Sequence, residues 1–350
     1  MNLGQELQII LVTGASGFIG GAVARRLRAE NCTVRTLVRR NSDTSALTAA
    51  GCELCYGDIT DPPSVGEAMQ GTDAVVHCAA FASDWGPRET FVRVNVEGSR
   101  NIFNAALQNK VKRVVHISTT DVFGIYRDGR VIDDTFPIKN LGFPYSDTKA
   151  EADRMALAYA QEQGLPVAVL RLAWMYGQGD HHFIPELVDA MRTRQMIFFG
   201  SSHNTIPLCY IDNLTDAVIL ALTREEAVGQ GYIVCDGVVI SWKELTDLLA
   251  AQLDLPKVKW TIPLPLAQVV AAAAETWAKI TRSTTRPALT RYELAVGGRD
   301  LHYSNSKICR ELGFSPRVLP EEGLVRTIEW LKSVDLSKIK KKAESEHRGP

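Results

Sequence analysis

Residues 8–20 read Q-I-I-L-V-T-G-A-S-G-F-I-G: an apolar run, then glycines at 14, 17 and 20, then from 21 the helix-forming G-A-V-A-R-R-L-R. A short β-branched run fits a strand buried on both faces. The glycines fit a tight turn whose backbone N–H groups approach an anion at the positive end of the following helix. Strand, turn and helix in this order point to the pyrophosphate of a dinucleotide, with Gly14, Ser16, Gly17, Phe18, Ile19 and Gly20 as candidate contacts. A tight turn without a ligand is the competing reading, and three glycines alone do not decide between them.

Working outward, Val/Ile-rich runs at 33–38, 73–78, 111–118 and 167–172 alternate with helix-length segments. Strands separated by helices imply right-handed crossovers and a parallel sheet, an α/β doubly wound fold of the Rossmann kind. Its ligands bind beyond the carboxyl ends of the strands. After Tyr176 the alternation becomes irregular, with helices expected near 183–194, 241–253 and 264–280. One further strand-helix unit, 207–222, is expected to return to the sheet. This divides the chain into a dinucleotide-binding domain (1–176 and 205–238), a smaller, mostly helical substrate lobe (177–204 and 239–332) and a flexible tail (333–350).

Composition excludes some classes. With 39 basic and 40 acidic residues the net charge is -1, so no global field recruits nucleic acid. The seven cysteines are odd in number and scattered, which does not suit a disulfide framework, and Cys52-x-x-Cys55 stands without a second pair, so no metal site is expected. The first eleven residues lack a basic leader, and a cytoplasmic location is the expectation. The apolar stretch 262–274 is too short to span a bilayer. That stretch, or the tail lysines Lys338, Lys340, Lys341 and Lys342, leaves peripheral membrane contact open.

The remaining strand ends furnish the cofactor site. An NAD-selective fold usually offers Asp or Glu after the second strand, but here L-V-R-R places Arg39 and Arg40 there. Basic residues favour the 2′-phosphate, so NADP(H) is expected over NAD(H), unless the pair is merely a solvated strand end. Asp58 and Ile59 suit the adenine, and Ala79 and Ala80 are small enough to let the cofactor pass.

The chemistry is expected in P-Y-S-D-T-K, residues 144–149, which opens a helix and puts Tyr145 and Lys149 on one face. A phenol is a poor proton shuttle at neutral pH, and a nearby ammonium favours the phenolate. Thr119, at the end of H-I-S-T-T-D-V-F-G, can fix a substrate oxygen against Tyr145, with Thr120 or Ser118 as alternatives.

Taken together, the glycine turn, the hydroxyl cluster and Y-x-x-x-K resemble the extended short-chain dehydrogenase/reductases, the superfamily of the NAD-dependent epimerases and dehydratases. The resemblance covers about residues 8–332 and includes V-N-V-E-G-S-R-N (94–101) and Y-I-D-N-L (210–214). It implies Tyr145 as general acid/base, Lys149 holding the nicotinamide ribose and lowering the tyrosine pKa, Thr119 as the hydroxyl partner and Asn95 as organiser. It also implies hydride transfer at a carbinol carbon, Leu172 beside the nicotinamide where many members have proline, and a homodimer.

Three features choose a branch. Sugar-nucleotide enzymes commonly carry asparagine three residues after the arginine that corresponds to Arg171, but here Trp174 stands in that place, and its face suits a flat hydrocarbon. Interlobe packing is the other reading of Trp174. The dehydratase Thr-Asp-Glu run is absent: the chain reads Thr119-Thr120-Asp121, so one of the two carboxylates is missing. Segments 82–87, 176–185, 286–293 and 298–316 look like the 3β-hydroxysteroid dehydrogenase and sterol-4-carboxylate 3-dehydrogenase group, which implies that Ser83, Asp84 and Trp85 lie beside the substrate. With Thr120, Trp174 and Arg299 they are the candidate substrate contacts. An NADP-preferring oxidoreductase on an apolar sterol-like or 3-oxoacyl substrate leads. A nucleotide-sugar epimerase with tightly bound NAD, using Arg299 on a diphosphate, and a non-catalytic cofactor-binding subunit are the alternatives.

Overall fold

In a computed structural model of the chain, which describes residues 3–124, 129–281, 283, 285–335 and 339, the sheet is built as the alternation suggests. Its strands are β1 (Ile9–Thr13), β2 (Thr33–Val38), β3 (Glu53–Tyr56), β4 (Ala74–His77), β5 (Arg113–Thr119), β6 (Val167–Leu172) and β7 (Gly231–Val234). All neighbours pair in parallel, in the order β7-β6-β5-β4-β1-β2-β3. The order reverses between β1 and β4, and that switch point is where the glycine turn emerges.

The strand period of two explains why these runs read as continuously apolar. Ile10, Val12, Val76, Val115 and Leu170 enter the core on one face of the sheet. Leu11, Val75, Val114 and Val169 enter the core on the other. Each such side chain contributes about 1.5–3 kcal/mol by leaving water, so the central strands are the rigid floor on which their loop ends are held.

One expectation is corrected. The strand Thr205–Tyr210 does not return to the main sheet; it lies in a separate three-stranded sheet with Trp174–Tyr176 and Val239–Ser241. The edge beside β6 is taken by β7, where Gly231 leaves room for Arg171: a Cβ there would stand 2.5 Å from the guanidinium. The chain breaks at Ala173, and Trp174–Tyr176 then continues into the second sheet. The helix after it, Ile211–Thr223, still packs against Phe18–Ala29 on the sheet's flank.

The expected helices are found at Phe183–Arg192, Trp242–Leu253 and Leu264–Ile280. Among the described residues no helix is long and apolar enough to cross a membrane. The tail lysines Lys338, Lys340, Lys341 and Lys342 lie outside the described residues.

Candidate active site

The glycine turn has the shape a pyrophosphate needs. Gly14 has φ +68°, and a Cβ on it would lie 2.7 Å from Ala79 N, so both conformation and space demand glycine. A Cβ on Gly20 would lie 2.3 Å from Gly14 O, which locks the helix Phe18–Ala29 tightly to β1. Gly17 caps that helix with no side-chain acceptor for its first N–H groups, and its own Cβ would meet nothing closer than 3.4 Å. Donors aimed at open space at a helix N-terminus fit a dinucleotide phosphate.

The rest of the cofactor set lies along the same edge. Arg39 and Arg40 are exposed just after β2, and the Arg40 guanidinium sits 6.0 Å over the Tyr56 ring. Asp58 closes its own turn by accepting from Thr60 N (2.9 Å) and Thr60 Oγ1 (2.8 Å). Ile59 is buried, and its carbonyl accepts from Asn101 Nδ2 at 2.9 Å. Ala79 N donates to Thr13 Oγ1 at 3.2 Å, tying the loop after β4 to β1, and Ala80 follows it. Leu172 is buried at the end of β6, and its carbonyl accepts from Thr120 Oγ1 at 3.3 Å.

The catalytic candidates converge where β5 meets the helix Pro144–Gln163, which opens on a proline at its first turn and ends at the left-handed Gly164. Thr119 and Tyr145 line one cavity, where the Thr119 hydroxyl holds the Tyr145 pKa down, and Thr119 Oγ1 accepts from Asp121 N at 3.3 Å. Lys149 is buried one turn on, and its ammonium donates to Ile117 O at 2.6 Å. Burial pulls the Lys149 pKa down to about 8, against the opposing pull of Asp153 and Cys78.

The expectation that Lys149 lowers the tyrosine pKa is corrected for the protein by itself. Burial and the Asp121 carboxylate push the Tyr145 phenol up, only the Thr119 hydroxyl opposes them, and the ammonium has no resolved effect.

Asn95 explains the geometry of this corner. It lies in a π-helical stretch, Val92–Glu97, a widened turn often found at functional sites. Fully buried, it accepts from Phe81 N (2.7 Å) and donates to Phe81 O (3.2 Å) and Thr148 Oγ1 (3.1 Å). It therefore clamps the loop after β4 to the helix that carries Tyr145 and Lys149. Below them Arg171 is buried in a charge cluster, bidentate to Asp153 (3.0 and 2.9 Å) with Ser118 on the same carboxylate at 2.8 Å. Ser118 is thus occupied and is not the working hydroxyl.

Above the hydroxyls opens a cavity of about 2300 Å³ whose walls include Phe81, Phe143, Trp174, Phe183, Phe198 and Leu289. Thr119, Thr120 and Tyr145 line it, as do Ser83, Asp84 and Trp85. Trp174 meets Phe183 and Trp242 edge-on at 4.8 and 5.6 Å between ring centres, so it is both a packing residue and a wall. Ser83 and Asp84 are held by the protein: Ser83 Oγ donates to Trp85 O at 2.8 Å, and Asp84 receives both arms of Arg286 at 2.7 Å and the Thr290 hydroxyl at 2.8 Å. Arg299 does not line this cavity, so its proposed clamp on a substrate diphosphate there is corrected.

Residues 10–235 match the NAD dependent epimerase/dehydratase family. The chain belongs to that family. As an epimerase/dehydratase family member it is an NAD(P)-dependent oxidoreductase in class, and its relatives span both branches weighed above. It is 31% identical over 91% of its length to a 2-alkyl-3-oxoalkanoate reductase of Stenotrophomonas maltophilia, covering 97% of that protein. It is 29% identical to 4-hydroxy-2-methyl-3-oxo-4-farnesyl-3,4-dihydroquinoline-1-oxide ketoreductase of Stigmatella aurantiaca, over 89% of this chain and 93% of the relative. A sterol-4-alpha-carboxylate 3-dehydrogenase of Candida albicans is 25% identical, over 94% of this chain and 99% of the relative. Among solved structures, the dTDP-glucose 4,6-dehydratase of Streptomyces venezuelae, with NAD bound, superposes with a TM-score of 0.76 at 26% identity, covering 93% of this chain and 97% of that one.

Within this family member the structure adds residues that sequence reasoning did not assign to the site. The Tyr292 hydroxyl donates to the Asp121 carboxylate, and its ring meets Tyr145 and Phe143 edge-on at 6.1 and 5.4 Å. Burial raises the Asp121 pKa, and hydrogen bonds from Tyr292 and Thr119 hold it back. Tyr292 stands in the run 286–293 but 171 positions from Asp121, so only the folded chain brings them together. The seven thiols are free, and burial pushes Cys52 and Cys55 up, which disfavours a reactive pair.

Proposed function

We propose that this protein is an NADP(H)-preferring oxidoreductase that interconverts a ketone and a secondary alcohol on an apolar substrate of the 3β-hydroxysterol or 3-oxoacyl kind. The observation that carries the reading is the Thr119–Tyr145 hydroxyl pair at the floor of a large cavity walled by aromatic side chains. A substrate oxygen seated between the two hydroxyls is fixed by Thr119 and exchanges its proton with Tyr145 Oη. A nicotinamide dinucleotide, when bound, supplies or accepts the hydride. Gly14, Ser16, Gly17, Phe18, Ile19 and Gly20 hold its phosphates, and Asp58, Ile59, Ala79, Ala80 and Leu172 line its path. Arg39 and Arg40, exposed and close to the ribose end, meet the 2′-phosphate. Lys149 holds the nicotinamide ribose, and its buried charge favours the phenolate once the site is filled. Asn95 is a positioning residue, acting through Phe81 and Thr148.

The relatives' printed substrates support the reading, since farnesyl-quinoline, 2-alkyl-3-oxoalkanoate and sterol carboxylate are all carbonyl or carbinol compounds with large apolar parts. Ser83, Asp84, Trp85, Thr120 and Trp174 contact the substrate in this account. Residues 177–204 and 239–332 act as the substrate lobe over a dinucleotide-binding domain of 1–176 and 205–238, and two chains pair through their sheet domains.

A nucleotide-sugar activity is the second reading, favoured by the likeness to the dTDP-glucose dehydratase. Against it stand the run Thr119-Thr120-Asp121, which lacks one of the two dehydratase carboxylates, the Trp174 wall, and Arg299 lying outside the cavity. The test is nicotinamide absorbance with a 3-oxoacyl compound and a sterol ketone, each offered NADPH and NADH, beside dTDP-glucose and UDP-glucose. The proposal expects turnover with the apolar ketones. Conversion of the sugar nucleotides alone, by protein purified with cofactor bound, overturns it.

A further inference from the structure

The helix Leu264–Ile280 is apolar on two sides. Inward, Ala267, Ala271, Glu275 and Ala278 are buried, and Glu275 and Ala278 border the cavity. Outward, Leu266, Val269, Val270, Trp277 and Ile280 are 57%, 68%, 52%, 69% and 72% exposed. Their spacing of three, four and seven places them on one stripe of the helix. Trp260, four residues before the helix, is 75% exposed.

Soluble proteins scatter exposed apolar residues singly, and a contiguous stripe with tryptophan near each end marks a contact surface. The charged side chains that flank it in sequence are mostly basic, with Asp254 the one exposed acid beside them. Lys257, Lys259 and Lys279 are exposed, and the only carboxylate between 256 and 281, Glu275, is buried and bonded to Arg291 at 2.8 Å. The helix has 17 residues and cannot span a bilayer, so its apolar stripe suits a helix lying flat at an interface.

We propose that this face docks on the surface of an anionic phospholipid bilayer. Leu266, Val269, Val270, Trp277 and Ile280 enter the acyl boundary, Trp260 and Trp277 sit at the headgroup level, and Lys257, Lys259 and Lys279 pair with lipid phosphates. A second copy of the chain fits this face less well, because a two-fold contact would bring Lys257, Lys259 and Lys279 of both copies together against the single nearby acid Asp254. Ile262, Ala278 and Lys279 belong both to this segment and to the cavity border, so the docked cavity opens beside the membrane. That last step, delivery of an apolar substrate from the bilayer, rests on the proposed function; docking itself does not.

The test is sedimentation of the full chain with vesicles of phosphatidylcholine alone and of phosphatidylcholine with phosphatidylglycerol, without substrate. The wild type is expected to bind the anionic vesicles, less so at high salt, with its tryptophan emission quenched by brominated lipid. Val270→Glu and Trp277→Glu, both exposed and outside the cavity border, each weaken partition about tenfold. Neither changes the melting temperature or turnover of a short water-soluble ketone. Absence of binding to anionic vesicles, or equal binding by wild type and variants, overturns the proposal and leaves the substrate reading standing. A shift from dimer to monomer in Trp277→Glu, with no vesicle binding by the wild type, overturns it in favour of a contact between copies.

Discussion

Lys149→Met is expected to make the free protein more stable at neutral pH while removing its activity. Burial holds the folded ammonium at a pKa of about 8 against an ordinary 10.5. At about 1.4 kcal/mol per pH unit that gap amounts to roughly 3 kcal/mol of destabilisation carried by the charged side chain. Methionine fills a similar volume without the charge. It loses the hydrogen bond to Ile117 O, about 1 kcal/mol, while Asp153 keeps Arg171 and Ser118 as partners. The net gain is about 2 kcal/mol; with an unfolding entropy near 2.1 cal/mol/K per residue over the chain, that is about 3 °C in Tm. Because the folded pKa lies below the unfolded one, the unfolded chain retains a proton that the folded chain has shed between about pH 8 and 10.5. Wild-type stability from this group therefore rises with pH across that window, and the variant's advantage shrinks there. Thermal unfolding of both proteins from pH 7 to 9.5, with no dinucleotide added, measures it. A variant no more stable than wild type at pH 7, or an advantage that does not fall with pH, refutes the reasoning.

Gly20→Ala puts a methyl 2.3 Å from Gly14 O, a backbone atom that cannot turn aside; a loss of about 1–3 kcal/mol and weaker dinucleotide binding are expected, read by thermal unfolding and cofactor titration. Arg39→Asp is expected to cut the NADP-over-NAD ratio of kcat/KM by about tenfold to a hundredfold, and an unchanged ratio removes Arg39 from the ribose pocket. Asp121→Asn removes a charge that pushes the Tyr145 phenol up, so the alkaline fall in ketone reduction moves to lower pH. The pH profile of kcat/KM reads this, and a limb that stays in place or moves upward counts against Asp121 acting on Tyr145.

The sheet was legible where local chemistry dictates it. The β1 turn could be read because Gly14 and Gly20 have steric reasons to be glycine that any such turn shares. The seventh strand was not, because Gly231–Val234 has only four residues and opens on a glycine, while Thr205–Tyr210 is a longer run; the glycine proves to be what leaves room for Arg171 at the sheet edge. Tyr145, Lys149 and Thr119 were readable because four helical residues and one strand end bring them together. Tyr292 on Asp121 and Arg286 on Asp84 were not, since each pair joins positions far apart along the chain. The raised Tyr145 pKa was also hidden, because spacing reveals a neighbouring ammonium and says nothing of how deeply the phenol is buried.

The central claim is that Tyr145 moves the proton while hydride passes to or from an apolar carbonyl. The most direct measurement is NADPH oxidation with a 2-alkyl-3-oxoacyl substrate and a sterol ketone by wild type and Tyr145→Phe, alongside dinucleotide titration of both. The account predicts turnover by the wild type, a loss of about a hundredfold or more in the variant, and cofactor affinity within a few-fold of wild type. Unimpaired turnover in Tyr145→Phe would contradict it.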